Sequence, residues 1–286
     1  MEEVVKVIKK VLGLIVFLMV SLNAGDFERA IASYDRGDYK SAKYFFTKVC
    51  NKGVGEGCYN LALLYERGKG VRRNYKTAAK FYAKACNMGL TAACYNLGVL
   101  YANGKVGRRN YKKAAQFYKK ACNKGLGVAC YNLALLYEYK KVFKRDYKKA
   151  AQFYRKACNR GVSKACFNLA IFYNKAKGVK RSYSNEIRFY EKACRGGYGP
   201  GCYNLAFAYY EAKQINKALE LFKKGCNRGV EDSCYNYRVL LKKQQEKQEE
   251  RSYKNRESKC HDEVYTRCAP GIYPCRMVQT TRTVCD

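Results

Sequence analysis

Sixteen cysteines offer more chemistry than any other residue type in this chain of 286 residues. Twelve of them stand in six pairs eight positions apart: Cys50 and Cys58, Cys86 and Cys94, Cys122 and Cys130, Cys158 and Cys166, Cys194 and Cys202, Cys226 and Cys234. Each pair brackets a short stretch with a glycine, as in "CNKGVGEGCYN" (50–60) and "CNKGLGVACYN" (122–132). Inside a reducing cell such a count points to metal sites or redox chemistry, and in an oxidising space to a disulfide framework. Four further cysteines, Cys260, Cys268, Cys275 and Cys285, fall off this spacing. Four cysteines allow three pairings, and the sequence does not choose among them. Zinc is the rival reading for this tail, because His261 adjoins Cys260, yet no pair has the two-residue spacing of common zinc knuckles.

The first 24 residues bear on the compartment. Lys6, Lys9 and Lys10 precede the apolar run "VLGLIVFLMVSL", and Ala24 stands where a signal peptidase would cut. The run is short for a membrane span, so residues 1–24 are expected to be a secretory signal peptide, with an uncleaved anchor as the alternative. In either case the rest of the chain is expected in a secreted or periplasmic setting, where thiols pair. Removing the leader lowers the formal charge only from +34 to +33. So basic a chain constrains its partners and solubility rather than its fold.

The first cysteines of the pairs advance in four steps of 36 residues and one of 32. A period of this size means stacked helical hairpins. "CYNLALLYERG" opens one helix of each repeat, here called A, and "NYKTAAKFYAKAC" forms the other, here called B, with apolar residues at three- and four-residue spacing. Gly53, Gly89, Gly125, Gly161, Gly197 and Gly229 end the B helices, where glycine adopts a left-handed cap without penalty. Each cysteine pair thus joins the end of a B helix to the opening turns of the next A helix. Folding these antiparallel about the glycine brings the sulfurs within bonding reach. A loop this short stabilises by roughly 2 to 3 kcal/mol. That offsets like-charged rows such as Lys76, Lys80 and Lys84, which cost about 0.2 to 0.5 kcal/mol per pair.

"YNLALLYERGKGV" followed by "YKTAAKFYAKAC" resembles the Sel-one-like repeat (SLR) family, related to the tetratricopeptide repeat (TPR). The cysteine pair in every repeat is similar to the disulfide-bearing branch, the Helicobacter cysteine-rich proteins (Hcp). The resemblance covers roughly residues 27–240 and implies an all-α fold, a right-handed α-solenoid (superhelix) of disulfide-stapled two-helix SLR/TPR-like repeats. The expected organisation is the signal peptide (1–24), about six repeats with a capping helix (25–241), a charged helix extension or linker (242–259) and a Cys-rich tail (260–286). Departures from the pattern include "GKVG" at 104–107, a glycine-free loop in "YEYKKVFKRD", and Glu186 with Ile187 in place of the usual alanine pair.

The resemblance also implies penicillin binding and slow β-lactam hydrolysis, and the residues for that chemistry are not legible. None of Ser33, Ser41, Ser163, Ser182, Ser184, Ser233, Ser252 and Ser258 has a lysine three positions later, and the Ser-Asp-Asn and Lys-Thr-Gly elements are missing. A zinc enzyme needs several histidines where this chain has one. Catalytic residues are therefore unknown, and no cofactor or metal is expected.

One polar residue recurs in each A helix: Asn60, Asn96, Asn132, Asn168, Asn204 and Asn236. Asparagine is a mediocre helix former. Two readings account for its return. On the concave face of a TPR-like superhelix its amide offers a donor and an acceptor to an extended peptide; alternatively each amide bonds a neighbouring repeat. The neighbours Tyr59, Tyr95, Tyr131, Phe167, Tyr203 and Tyr235 read as packing. The expected function is a monomeric scaffold for peptide or protein ligands in the envelope or outside the cell, with slow β-lactam hydrolysis as the alternative. β-Lactams and anionic envelope polymers are further candidate partners. Nucleic acid is disfavoured by export, and no membrane span is expected once the leader is removed.

Overall fold

A computed structural model describes residues 25–139 and 145–266, with side chains up to 256 in the final helix. The expected signal peptide, the residues of "YEYKKVFKRD" between 140 and 144, and Cys268, Cys275 and Cys285 lie outside the described residues, as do the side chains of Cys260 and His261. Thirteen helices and no strands occur among the described residues: α1 (25–35), α2 (Tyr39–Asn51), α3 (Gly55–Arg67), α4 (Tyr75–Asn87), α5 (Thr91–Ala102), α6 (Tyr111–Asn123) and α7 (Gly127–Glu138). They continue as α8 (Tyr147–Asn159), α9 (Ser163–Asn174), α10 (Tyr183–Arg195), α11 (Gly199–Glu211), α12 (Ile215–Cys226) and α13 (Glu231–Thr266). Odd-numbered helices are the A helices and even-numbered ones up to α12 the B helices of an all-α repeat solenoid. No described helix is long and apolar enough to cross a membrane.

The chain divides into two compact units, one ending at Gly196 and the other beginning at Gly197. In the first, α4, α6 and α8 each turn an alanine pair and one tyrosine inward: Ala78, Ala79 and Tyr82 on α4, Ala114, Ala115 and Tyr118 on α6, Ala150, Ala151 and Tyr154 on α8 are all buried. The A helices meet them with Leu61 and Leu64, Leu97 and Leu100, Leu133 and Leu136, Leu169 and Phe172. The alanines allow close helix approach, and the large residues at fixed positions fill the gap, so one packing scheme repeats down the stack. In the second unit α11, α12 and α13 share a core of Ala206, Ala218, Leu219, Phe222 and Leu240, with Tyr237 packed against it.

The B helices start at a side-chain cap that also recurs every 36 residues. Asp38, Asn74, Asn110, Asp146 and Ser182 accept the backbone N–H of the residue three positions on, at 2.9 to 3.3 Å. Such a cap satisfies a helix-end donor and contributes typically about 1 kcal/mol. Gln214, which opens α12, makes no such bond. A loop lysine before α4, α6 and α10 reaches back to the preceding B helix. Lys69 lies over the rings of Tyr34 and Tyr39 and donates to both hydroxyls, while Lys105 and Lys177 lie over Tyr75 and Tyr147. Gly70, at φ 64°, touches the Tyr39 backbone so closely that a Cβ would sit 2.7 Å from its carbonyl carbon.

Where Glu186 and Ile187 replace the alanine pair, the packing is reorganised rather than lost. Glu186 is buried at 8% exposure and accepts from Asn174 Nδ2 at 2.8 Å. Asn174 occupies the place that Glu66 and Glu138 hold in their own repeats, so the acidic group has moved from the A helix to the B helix.

Candidate functional site

The cysteine pairs are oxidised. Cys50–Cys58, Cys86–Cys94, Cys122–Cys130, Cys158–Cys166 and Cys226–Cys234 are bonded, with Cα atoms 4.5 to 4.7 Å apart. Cys194 and Cys202 are likewise in disulfide linkage. The sulfurs are therefore not nucleophiles, since the reactive species is the thiolate. They are structural. The described serines with hydrogen bonds also serve structure: Ser182 caps α10, Ser163 Oγ donates to the Gly196 carbonyl at 2.8 Å, and buried Ser233 donates to the Phe222 carbonyl at 2.9 Å. Among the described residues, no cluster of three or more His, Cys, Asp or Glu side chains is placed to hold a metal ion.

The asparagine row runs along the A helices, half-buried at every position. Asn96 Nδ2 donates to the Tyr59 hydroxyl at 3.3 Å, and Asn132 Nδ2 to the Tyr95 hydroxyl at 3.4 Å, each one repeat earlier. Those tyrosines pack in turn on the buried tyrosine of the intervening B helix. The ring centroids of Tyr59 and Tyr82 lie 5.6 Å apart, those of Tyr95 and Tyr118 5.8 Å and those of Tyr131 and Tyr154 5.9 Å. Asn96, Asn132 and Asn168 also lie beside the hydroxyls of Tyr82, Tyr118 and Tyr154 respectively. In the repeat before Asn60, Phe46 stands where α4, α6 and α8 have a tyrosine, and Asn60 Nδ2 turns back to the Glu56 carbonyl at 3.0 Å. In the second compact unit Asn204 and Asn236 lie on α11 and α13, and Asn204 is also engaged.

Burial, reinforced by the Glu66 carboxylate that accepts its proton, pushes the Tyr82 hydroxyl far above its ordinary range; burial and Glu138 do the same to Tyr154. The tyrosines beneath the row stay neutral at any physiological pH. The amide hydrogens of Asn96 and Asn132 are directed at tyrosine oxygens, so the capacity left to each side chain is its Oδ1 acceptor. One residue-turn further along each A helix stands an aliphatic residue the sequence reading passed over: Leu63, Val99, Leu135 and Ile171, all half-buried. Their signal was available in the three-residue offset from each asparagine. In the second unit the corresponding Phe207 is 43% exposed beside Tyr203 and Tyr210, at centroid distances of 6.3 and 6.2 Å.

The Sel1 repeat matches residues 55–90, 91–126, 127–162, 163–198 and 199–230, well over half of the chain. The chain belongs to the Sel1 repeat family. Its eight-apart cysteine pairs fit the Helicobacter cysteine-rich branch of that family, and two Helicobacter pylori relatives of this Sel1 repeat protein share part of its sequence. One, named "Putative beta-lactamase HcpE", is 40% identical over 79 residues, covering 24% of this chain and 21% of that protein. Another, HcpD, is 41% identical over 69 residues, covering 21% and 22%. This Sel1 repeat protein thus spans about a fifth of the length of these relatives. Among solved structures, a Sel1 repeat protein from Oxalobacter formigenes superposes with a TM-score of 0.61 at 26% identity, covering 72% of this chain and 86% of that one. A protective antigen of uropathogenic Escherichia coli with an SLR fold gives 0.71 at 24% identity, covering 76% and 48%, and shares the fold alone.

Proposed function

We propose that this Sel1 repeat protein is an exported scaffold that binds extended peptide or protein segments along the A helices of its first compact unit. One observation carries the reading: Asn60, Asn96, Asn132 and Asn168 recur beside Leu63, Val99, Leu135 and Ile171. The oxygens would accept backbone N–H groups of a strand-like ligand, and the aliphatic row would receive its alternate side chains. The disulfides and the Hcp relatives support an extracytoplasmic location, periplasmic or secreted.

The test uses a peptide selected from a random library on the oxidised protein. Asn96→Ala with Asn132→Ala removes two acceptors worth about 0.5 to 1.5 kcal/mol each, so affinity should fall roughly five- to 150-fold. Tyr59→Phe with Tyr95→Phe removes the hydroxyls to which those amides donate and leaves the oxygens. A purely structural row predicts similar losses of melting temperature in both double variants and unchanged affinity in both. The binding reading predicts lost affinity in the asparagine variant only.

A second reading, slow β-lactam hydrolysis, rests on the names of the Helicobacter relatives. Turnover of a chromogenic cephalosporin should then be slow and survive alanine at each of the eight serines after residue 24. Fast turnover abolished by one such substitution would contradict the reading of those serines.

A further inference from the structure

The opposite helices of the first unit carry a different surface. Helices α4, α6 and α8 together hold eleven lysines and arginines and no aspartate or glutamate. Six of the lysines occupy two equivalent positions: Lys76, Lys112 and Lys148 in the first turn, Lys84, Lys120 and Lys156 in the last. All six are exposed. Eight residues separate the two positions on each helix, which places them within about 80° of one another around the axis and about 12 Å apart along it. The same two positions recur on α4, α6 and α8 at the 36-residue period, so two ammonium rows are carried from one repeat to the next.

No acidic side chain of the described residues neutralises these charges. The ion pairs of the first unit are Lys48 and Lys52 with Asp26, and Lys149 with Asp146; none of the six is ion-paired among the described residues. Two are nonetheless held in place, with Lys120 Nζ 5.7 Å from the Phe117 ring centroid and Lys156 Nζ 5.5 Å from that of Phe153. Such contacts lower the entropy lost when a long side chain is fixed on a ligand. Like charges at this density oppose folding, and the disulfides at the ends of the same helices offset that cost.

We propose that this B-helix face binds a linear acidic polysaccharide, its carboxylate or sulfate groups bridging the two lysine rows. Two rows spanning three repeats call for an anion repeated along a flexible chain rather than a single charged group. Single-stranded nucleic acid would stack its bases on aromatic faces, and here Lys120 and Lys156 already cover those of Phe117 and Phe153. The disulfide framework also fits an oxidising, extracytoplasmic setting for such a ligand.

The experiment titrates the oxidised protein with a size-defined heparin oligosaccharide and a polygalacturonate oligomer. Duplex DNA of equal charge and phosphatidylglycerol vesicles are compared at the same ionic strength. An oligosaccharide should bind more tightly than either. In the triple variant Lys84→Gln/Lys120→Gln/Lys156→Gln, the slope of log affinity against log salt should shrink by about 2, and affinity at about 0.1 M salt should fall on the order of 100-fold. Lys76→Gln/Lys112→Gln/Lys148→Gln should give a matching loss, which guards against misfolding of one variant. Melting temperature should hold or rise in both, because glutamine is as good a helix former as lysine and repulsion is removed. Asn96→Ala/Asn132→Ala should leave oligosaccharide binding intact. Oligosaccharide affinity unchanged in both triple variants, or preference for DNA or vesicles, overturns the proposal.

Discussion

Asn110 and Asp146 perform the same task in successive repeats, each capping a B helix through one bond to the backbone N–H three residues on. Replacing Asn110 with alanine should cost about 1 kcal/mol, visible as a drop of roughly 2 to 4 °C in melting temperature. Gln214→Ser should instead raise it, because α12 has no cap to lose. Asp146 adds a charge to the cap. The Lys149 backbone N–H, and then its ammonium at 3.1 Å, hold the Asp146 carboxyl below its usual range. A depressed folded-state value means that its contribution is complete above the unfolded value, near pH 4, and is lost as pH falls below it. Asp146→Asn should therefore leave stability at pH 7 nearly unchanged and narrow the gap between melting temperatures at pH 7 and pH 3. An unaltered gap would show that the bond does not form. The asparagines of the A helices were legible as a row, yet their partners were not. The hydroxyl that Asn96 meets belongs to Tyr59, 37 residues earlier, and only the stacking of repeats brings the two together.

A hairpin that cannot bury its apolar face alone is readable when it recurs at fixed spacing, because every repeat restates the same pattern. Helix positions, the inward alanines and the glycine turns were visible on that basis. The cap row at Asp38, Asn74, Asn110, Asp146 and Ser182 has the same period but changes residue type, which hid it behind three different side chains. Glu186 was legible only as a departure from the alanine pair, because its partner, Asn174, lies on the other helix of the repeat. The disulfides belong to this scale. Cys122→Ala with Cys130→Ala opens a loop of about eight residues and should cost about 2.5 kcal/mol by the chain-entropy estimate. A calorimetric loss below about 0.5 kcal/mol would mean that the bridge contributes little beyond packing. Peptide mapping without reduction should recover the pairs eight residues apart.

A formal charge of +34 makes the whole chain repel itself. Salt up to about 0.3 M should raise its melting temperature, since screening relieves exposed like charges while leaving the apolar core untouched. The two faces of the first unit should respond oppositely to the same salt: oligosaccharide binding on the B helices should weaken steeply, and peptide binding on the A helices only slightly. The measurement that decides most directly between a ligand-binding and a purely structural asparagine row is a crystal structure of the oxidised protein with its selected peptide. The peptide should cross α3, α5, α7 and α9 in extended form, its backbone N–H groups about 2.7 to 3.2 Å from Oδ1 of Asn96 and Asn132, its side chains on Val99 and Leu135. A peptide seated on α4, α6 and α8, or one that leaves those asparagine oxygens untouched, would contradict it.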